Sequence, residues 1–362
     1  LAGAQRPEAF DMARAAWRGG SMSGPAEAYI LGLFGSRFST DDHIVRMDAL
    51  LSQEDGEAAA RQIVNLEPGS RELAMARLAL VQGERPESAG LPVPIEANRD
   101  PGYIYNLAKH LRSKGQTRQA VSVLANRQKF SRVPANTDDF VGEMLAVAKQ
   151  ASARDAVRIA ASANDLFAPG TDVSKGSFAL RDRYTDLMWL GGTKALWSLG
   201  DAAAAAPLFH NYGSGAGTPL IRAKGFYWAG RAARQAGQEE QALTYFEQAA
   251  EFPAYYYGQL AISALGRAMP TFVNLGESEV SMVDVDDFNS RPLVRAIKAM
   301  AANRRDWRTE RRFFEAISDS ADAPAEMRAV YNLATETGLD ELAVVAGMTA
   351  GEHGHKGLER IG

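Results

Sequence analysis

The 362-residue sequence contains no cysteine, which excludes disulfide frameworks and thiolate metal sites. It also has no run of 18 or more apolar residues, so it offers no segment that could span a membrane as a helix. An excess of positive charge is missing as well, because 40 basic residues stand against 44 acidic ones and give a net charge of -4. We therefore expect no nucleic-acid partner.

Strand-like patterns are also lacking. β-Branched residues never gather into alternating runs, whereas alanine is used heavily along the whole chain. The content of 46% hydrophobic and 23% charged residues is ordinary for a folded protein. Because 362 residues exceed the usual size of a single hydrophobic core, the sequence predicts an all-α protein with several domains or a solenoid.

Motifs for catalysis and cofactor binding are missing too. The glycine-rich segment 213–217 has no lysine and no preceding strand, so it is predicted to be a linker and not a phosphate-binding loop. His353 and His355 have no third ligand nearby, and we predict a tail there. The adjacent acids Asp138 and Asp139 diverge on a helix and suit its N-terminus. The sequence therefore predicts no catalytic, cofactor-binding or metal-binding residue.

The strongest positive signal lies in residues 226–257. Two short amphipathic helices are predicted there, with a turn at Gly237 and a stop at Pro253. Small residues recur where the two helices of a hairpin must approach closely, and large residues fill the space between hairpins. The spacing is that of a tetratricopeptide-like repeat: Gly230-x2-Ala233, Gly237, Ala242-x3-Phe246, Ala249 and Pro253. Such a unit cannot bury its apolar face alone and therefore predicts neighbours.

Those neighbours are found at irregular spacing. Residues 105–124 and 187–209 repeat the pattern, with turn glycines at Gly115 and Gly200. Irregular repeats favour a ring or horseshoe over a regular superhelix. We predict an α-superhelix of tetratricopeptide-like helical hairpins over residues 1–267.

The pattern changes beyond Gly266, where residues 269–288 lack helical periodicity. Four shorter helices follow in the sequence pattern, and we predict a small helical linker domain over residues 268–362. The predicted helices are 292–300, 309–317, 325–337 and 341–348.

The end of the superhelical region resembles the last repeat of the soluble lytic murein transglycosylases. The repeat carries Tyr227-Trp228-Ala-Gly-Arg231 at its start and continues directly into residues 256–261, Tyr-Tyr-Gly-Gln-Leu-Ala. In that family a tetratricopeptide repeat precedes a Phe/Tyr-Tyr-Gly-x-Leu-Ala helix. The family's α-superhelix closes into a doughnut, and a helical linker domain and a lysozyme-like catalytic domain follow it. The resemblance implies that residues 1–267 and 268–362 are the first two of these.

The resemblance also implies an activity that this chain does not carry itself. The family is a group of carbon–oxygen lyases that cleave the MurNAc–GlcNAc bond of peptidoglycan without water and form 1,6-anhydro products in murein turnover. Its catalytic motif is a helical Glu-Ser followed by Gly-Leu-Met-Gln. The Glu-Ser pairs here, 87–88 and 277–278, lie in predicted loops without that segment. The catalytic domain is therefore expected beyond residue 362.

Under this resemblance the chain is a non-catalytic scaffold in the periplasm of a bacterial cell. It would position its own catalytic domain and contact the glycan strands of the cell wall. The chain begins at Leu1 without an initiator methionine, so we expect a signal peptide to have been removed.

Two groups of side chains are candidates for contacts with glycan or with the catalytic domain. The basic group shares one face of a predicted helix, where the alternative is a solvated surface paired with neighbouring acids. The aromatic group could stack on sugar rings, where the alternative is packing between repeats. The candidates are Arg304, Arg308, Arg311, Arg312, Tyr255 and Tyr256.

A second hypothesis is a tetratricopeptide-like scaffold for protein–protein interaction without enzymatic activity. It calls for a groove of exposed asparagine, lysine and arginine at regular positions, whereas the repeat helices here are rich in alanine and glycine. A third, an independent all-α enzyme, finds no supporting constellation of residues.

Overall fold

The computed structural model describes residues 7–270, 285–302, 307–321 and 323–339, together with 342, 343, 346, 347 and 349. These residues contain eighteen α-helices and no β-strand, so the all-α prediction is confirmed. No helix in these ranges is long and apolar enough to cross a membrane. The helices are α1 (Pro7–Arg18), α2 (Gly24–Phe34), α3 (Thr40–Ser52), α4 (Gly56–Gln62), α5 (Pro68–Val81), α6 (Pro101–Ser113), α7 (Thr117–Ala125), α8 (Thr137–Ala148), α9 (Ala153–Ala161), α10 (Phe178–Thr193), α11 (Ala202–Ser214), α12 (Pro219–Gln235), α13 (Glu239–Ala250), α14 (Tyr256–Ala264), α15 (Val285–Ser290), α16 (Pro292–Ala302), α17 (Trp307–Asp319) and α18 (Pro324–Glu336).

The chain divides into two compact units. The first unit comprises Leu1–Gly217 and Trp228–Ala242, and the second comprises Thr218–Tyr227 and Leu243–Gly362. The expected domain boundary between residues 267 and 268 stays a prediction, as does the ring or horseshoe shape.

Helices of the first unit pack mainly against their neighbours in the sequence. Helix α6 packs on α5, α7 and α8, and α10 packs on α8, α9 and α11. This order of contacts is what stacked helical hairpins produce. The predicted turn glycines Gly115 and Gly200 have φ angles of +71° and +67°. Glycine adopts this left-handed conformation without the penalty that a Cβ atom would bring, and it therefore ends the first helix of each hairpin.

Close approach within the first unit depends on two adjacent glycines near the end of α10. A Cβ atom on Gly191 would stand 2.5 Å from the Cβ of Ala160 in α9. A Cβ atom on Gly192 would stand 2.7 Å from the ring of Phe209 in α11. The two glycines therefore let α10 lie directly against both neighbours. The turn that follows, Lys194–Ser198, is π-helical.

The second unit has a hydrophobic core of its own. Buried side chains of α15 to α18 form one cluster with Leu342, Ala343 and Ala346. The predicted helices 292–300, 309–317 and 325–337 correspond to α16, α17 and α18. Half of the residues of the predicted helix 341–348 and most of the aperiodic segment 269–288 lie outside the described residues. The core residues from the four helices are Phe288, Val294, Ile297, Phe314, Ile317, Met327, Val330, Leu333 and Ala334.

Candidate functional site

The predicted basic face lies on α17 in the second unit. Arg308, Arg311 and Arg312 are exposed there, whereas Arg304 lies outside the described residues. Arg311 Nε donates a hydrogen bond of 2.7 Å to Glu315 one turn later. A pair of this kind stabilises a helix surface by only about 0.2–0.5 kcal/mol. The face is therefore accessible, and its contact with glycan or with a catalytic domain stays a prediction.

The predicted aromatic candidates lie at the start of α14 in the same unit. Tyr256 is 64% exposed, and Tyr255, the residue before the helix, is half-buried. The ring of Tyr257 packs on Tyr227 with 5.6 Å between centroids. Tyr256 is thus the tyrosine of this run that presents most of its ring to solvent.

Gly258 has a structural reason to be glycine. A Cβ atom at this position would stand 1.9 Å from the carbonyl oxygen of Phe252 and 3.0 Å from that of Ala249. Both oxygens are backbone atoms, that of Ala249 in the last turn of α13 and that of Phe252 just after the helix. A rotamer change could therefore not make room for a side chain at Gly258. The first turn of α14 therefore rests directly on the end of the preceding repeat.

Three basic side chains on helices of the first unit, Lys109, Arg112 and Arg183, are paired with acids. The interaction-scaffold hypothesis needs such residues at regular positions with open donors. Instead, each of three basic residues bonds a carboxylate from a neighbouring segment, which fastens the hairpins to one another. The pairs are Lys109 with Glu54 (2.9 Å), Arg112 with Glu143 (2.6 and 2.8 Å) and Arg183 with Asp139 (3.0 Å).

A cleft of about 550 Å³, here called the loop cleft, opens in the first unit. Its walls come from the segment before α8 (129–133), the segment after α9 (164–173), one residue of α10 and the end of α11 (211–215). Sequence reasoning missed this cleft, because its lining comes from four segments and none of them carries a recognisable motif.

One wall of the loop cleft is aromatic. The rings of Phe167 and Tyr184 meet edge to face at 5.7 Å. A Cβ atom on Gly215 would stand 2.7 Å from the Tyr184 ring, so the absence of a side chain lets that ring lie against the end of α11. Burial raises the pKa of Tyr184, which keeps its phenol protonated. The hydroxyl donates a hydrogen bond of 2.6 Å to Asn164 Oδ1.

The remaining polar groups of the loop cleft include two side-chain amides. The side-chain oxygen of Asn164 accepts the hydrogen bond from Tyr184, and its amide nitrogen bonds no other group in the described part of the chain. The amide of Asn211 likewise has no hydrogen-bond partner among the described residues. An asparagine amide provides a double donor and an acceptor. Both residues therefore keep hydrogen-bonding capacity for a ligand.

Charges around the loop cleft are largely compensated within the protein. Arg132 bonds Asp48 at 2.6 Å and Asp100 at 2.9 Å. Asp165 bonds Arg127 at 3.2 Å. Lys129 is the exception, because within the described ranges its ammonium group forms no ion pair.

A metal-centred site has no support in the described ranges, since no group of three or more histidine, aspartate or glutamate side chains there could hold an ion. A scan against protein-family models finds no match, and no curated protein is significantly similar in sequence. The features of this chain that point to a function are therefore the repeat-like segment with its Tyr-Tyr-Gly helix and the loop cleft.

Proposed function

We propose that this chain is the non-catalytic scaffold of a periplasmic lytic transglycosylase. The intact protein would cleave the MurNAc–GlcNAc bond of peptidoglycan without water and form a 1,6-anhydro product. The scaffold would position a lysozyme-like catalytic domain, whose catalytic motif this chain does not contain, and would contact the glycan strand.

The observation that carries the proposal is the junction between α13 and α14. The resemblance consists of a tetratricopeptide-like repeat followed at once by Phe/Tyr-Tyr-Gly-x-Leu-Ala. The second and third positions of that pattern have a packing reason here. Tyr256, where the family pattern accepts phenylalanine or tyrosine, is exposed, Tyr257 packs on Tyr227, and Gly258 lies against the Phe252 carbonyl. These constraints support a built junction over a chance match of a few letters.

The alternative, a tetratricopeptide-like interaction scaffold without enzymatic activity, has weaker support. Its partner would need basic or amide side chains along the repeat helices to bind a peptide. Lys109, Arg112 and Arg183 instead bond carboxylates of adjacent segments. Opening those pairs would cost part of the binding energy.

Sedimentation with purified peptidoglycan sacculi tests the scaffold role. We expect the chain to pellet with intact sacculi and to return to the supernatant after a muramidase has digested them. A chain that stays in the supernatant and instead captures a protein from periplasmic extract would support the interaction scaffold and overturn the proposal.

The enzymatic half of the proposal is tested on the complete product of the gene. Incubated with sacculi, the complete protein is expected to release muropeptides with 1,6-anhydro ends, which mass spectrometry distinguishes from hydrolysed reducing ends. Release of reducing ends alone, or no release at all, would refute the assignment to lytic transglycosylases.

A further inference from the structure

We propose that the loop cleft is a binding site for an N-acetylated saccharide. Its volume of about 550 Å³ lies inside the range of roughly 300–1,000 Å³ that is usual for small-molecule sites. Such sites combine apolar or aromatic walls with a few placed polar groups. The loop cleft has this composition, and its lining belongs to the first unit, whereas the tyrosines and arginines that the sequence singled out belong to the second.

The aromatic wall suits the C–H face of a pyranose ring. Phe167 and Tyr184 meet edge to face at 5.7 Å, so the buried Tyr184 supports the Phe167 ring at the wall of the loop cleft. Tyr184 is only 4% exposed, and its hydroxyl is occupied by the hydrogen bond to Asn164. The half-buried Phe167 is therefore the ring that presents apolar surface to a ligand.

The two amides suit an acetamido group. An acetamido substituent carries one N–H donor and one carbonyl acceptor. Asn164 holds its nitrogen as a donor, because its oxygen is fixed by Tyr184, and Asn211 keeps both donor and acceptor. The hydrogen bond from Tyr184 therefore also fixes the orientation of the Asn164 amide. A saccharide without acetamido groups would leave part of this capacity unused.

The charge of the loop cleft selects against strongly charged ligands. Arg132 and Asp165 each form an ion pair within the protein, whereas Lys129 forms none with the described residues. A neutral sugar fits this arrangement, and so does a sugar with a single carboxylate that could reach Lys129. In the cell the natural source would be a peptidoglycan glycan strand, a point that rests on the proposed function, whereas the saccharide site itself does not.

Calorimetric titration of the full chain with tetra-N-acetylchitotetraose tests the site, with maltotetraose as a saccharide that lacks acetamido groups. We expect millimolar or tighter binding of the first and at least about tenfold weaker binding of the second. Asn211→Ala and Phe167→Ala are each expected to weaken binding by about tenfold or more, equivalent to about 1.4 kcal/mol. Phe178→Ala, at an exposed phenylalanine that does not line the loop cleft, is the matched control and should bind like the wild type.

Loss of folding does not confuse this test at Asn211. The residue lies inside α11, where alanine has a higher helix propensity than asparagine, and the side chain has no partner to lose in the described chain. The proposal is overturned if the wild type does not bind the N-acetylated tetrasaccharide, or if Asn211→Ala and Phe167→Ala bind it unchanged. A free peptidoglycan stem peptide that binds the chain in preference to the tetrasaccharide would overturn it equally.

Sacculi separate this inference from the proposed function. If the tetrasaccharide binds in a cleft-dependent way but sacculi are not retained, the saccharide site stands and the peptidoglycan scaffold is refuted. If sacculi are retained and the cleft variants neither bind sugar differently nor sediment differently, the scaffold stands and the saccharide site is refuted.

Discussion

Gly258 lies against the carbonyl group of Phe252, so closely that a Cβ atom on Gly258 would stand 1.9 Å from its oxygen. The neighbours of that virtual atom are backbone atoms of the preceding repeat. A residue larger than glycine would therefore displace the start of α14 and could not simply rotate a side chain out of the way. This contact fixes how the Tyr-Tyr-Gly helix follows α13.

Gly258→Ala is therefore expected to destabilise the chain by about 1–3 kcal/mol or more, the usual cost of overpacking. Urea unfolding followed by circular dichroism measures the change. Gly32→Ala is the control, because Gly32 is exposed inside α2 and a Cβ atom there meets nothing within 4 Å. That substitution should stabilise α2 by up to about 1 kcal/mol through helix propensity. Equal unfolding midpoints for Gly258→Ala and the wild type would contradict the close contact.

Asp48 holds two arginines and is expected to be a point of high sensitivity. Its carboxylate accepts hydrogen bonds of 2.6 Å from both Arg77 and Arg132. Asp48→Asn would leave the guanidinium of Arg77, which is only 4% exposed, without its counter-charge. Breaking a buried pair in this way costs about 3–5 kcal/mol. In the control Asp186→Asn, an exposed pair with Lys149 at 3.6 Å is lost, and we expect less than about 1 kcal/mol. Similar losses in both variants would show that the Asp48 pair is not specially stabilising.

Acid should unfold the first unit through its buried carboxylates. Burial tends to raise the pKa of Asp42, but hydrogen bonds from Arg14, Ser39 and Arg18 outweigh it and hold the pKa below its ordinary value. A carboxylate with a lowered folded-state pKa contributes stability above the unfolded value, and that stability is lost as the pH falls. The free energy of unfolding should therefore decline below about pH 4. Asp42→Asn should lower the free energy of unfolding at pH 7 and flatten its decline at low pH. If urea unfolding at several pH values gives the variant the same pH dependence as the wild type, this role of Asp42 is contradicted.

His110 predicts a second pH dependence at milder acidity. The side chain is buried, burial lowers its pKa, and Nδ1 lies 3.3 Å from the carbonyl oxygen of Leu80. The unfolded chain therefore binds a proton more readily than the folded one, so stability should fall as the pH drops below about 6.5. His110→Asn cannot titrate and should lose part of this dependence. The remainder is expected from His43, whose pKa burial also lowers. If the proton resonances of His110 give a pKa at or above the ordinary value of histidine, the prediction is contradicted.

The periodic parts of the fold were accessible from the sequence. Alanine and glycine at helical spacing predicted the hairpins, and Gly115 and Gly200 were predicted as turn residues because a left-handed turn favours glycine. The close contact at Gly191 was not predicted. A glycine inside a helical pattern does not reveal which neighbour approaches it, and Ala160 lies on a different hairpin.

The loop cleft could not be predicted for a related reason. Its amides, Asn164 and Asn211, lie on either side of α10 in the sequence, and neither belongs to a spacing that marks a site. Only the packing of α10 between α9 and α11 brings them to one opening. The sequence did single out accessible side chains such as Arg311 and Tyr256, because runs of one residue type are visible without a fold.

Tyr256 and Tyr257 separate a surface role from a packing role at adjacent positions. Tyr256→Ala should change the free energy of unfolding by no more than about 0.5 kcal/mol, because the side chain is 64% exposed. Tyr257→Ala should cost about 2 kcal/mol, because it removes the contact with Tyr227. If Tyr256 contacts the glycan strand, Tyr256→Ala will reduce retention on sacculi while the unfolding curve stays that of the wild type. If Tyr256→Ala is retained on sacculi as well as the wild type, Tyr256 does not contact the glycan strand. Its exposure already excludes a large contribution to packing.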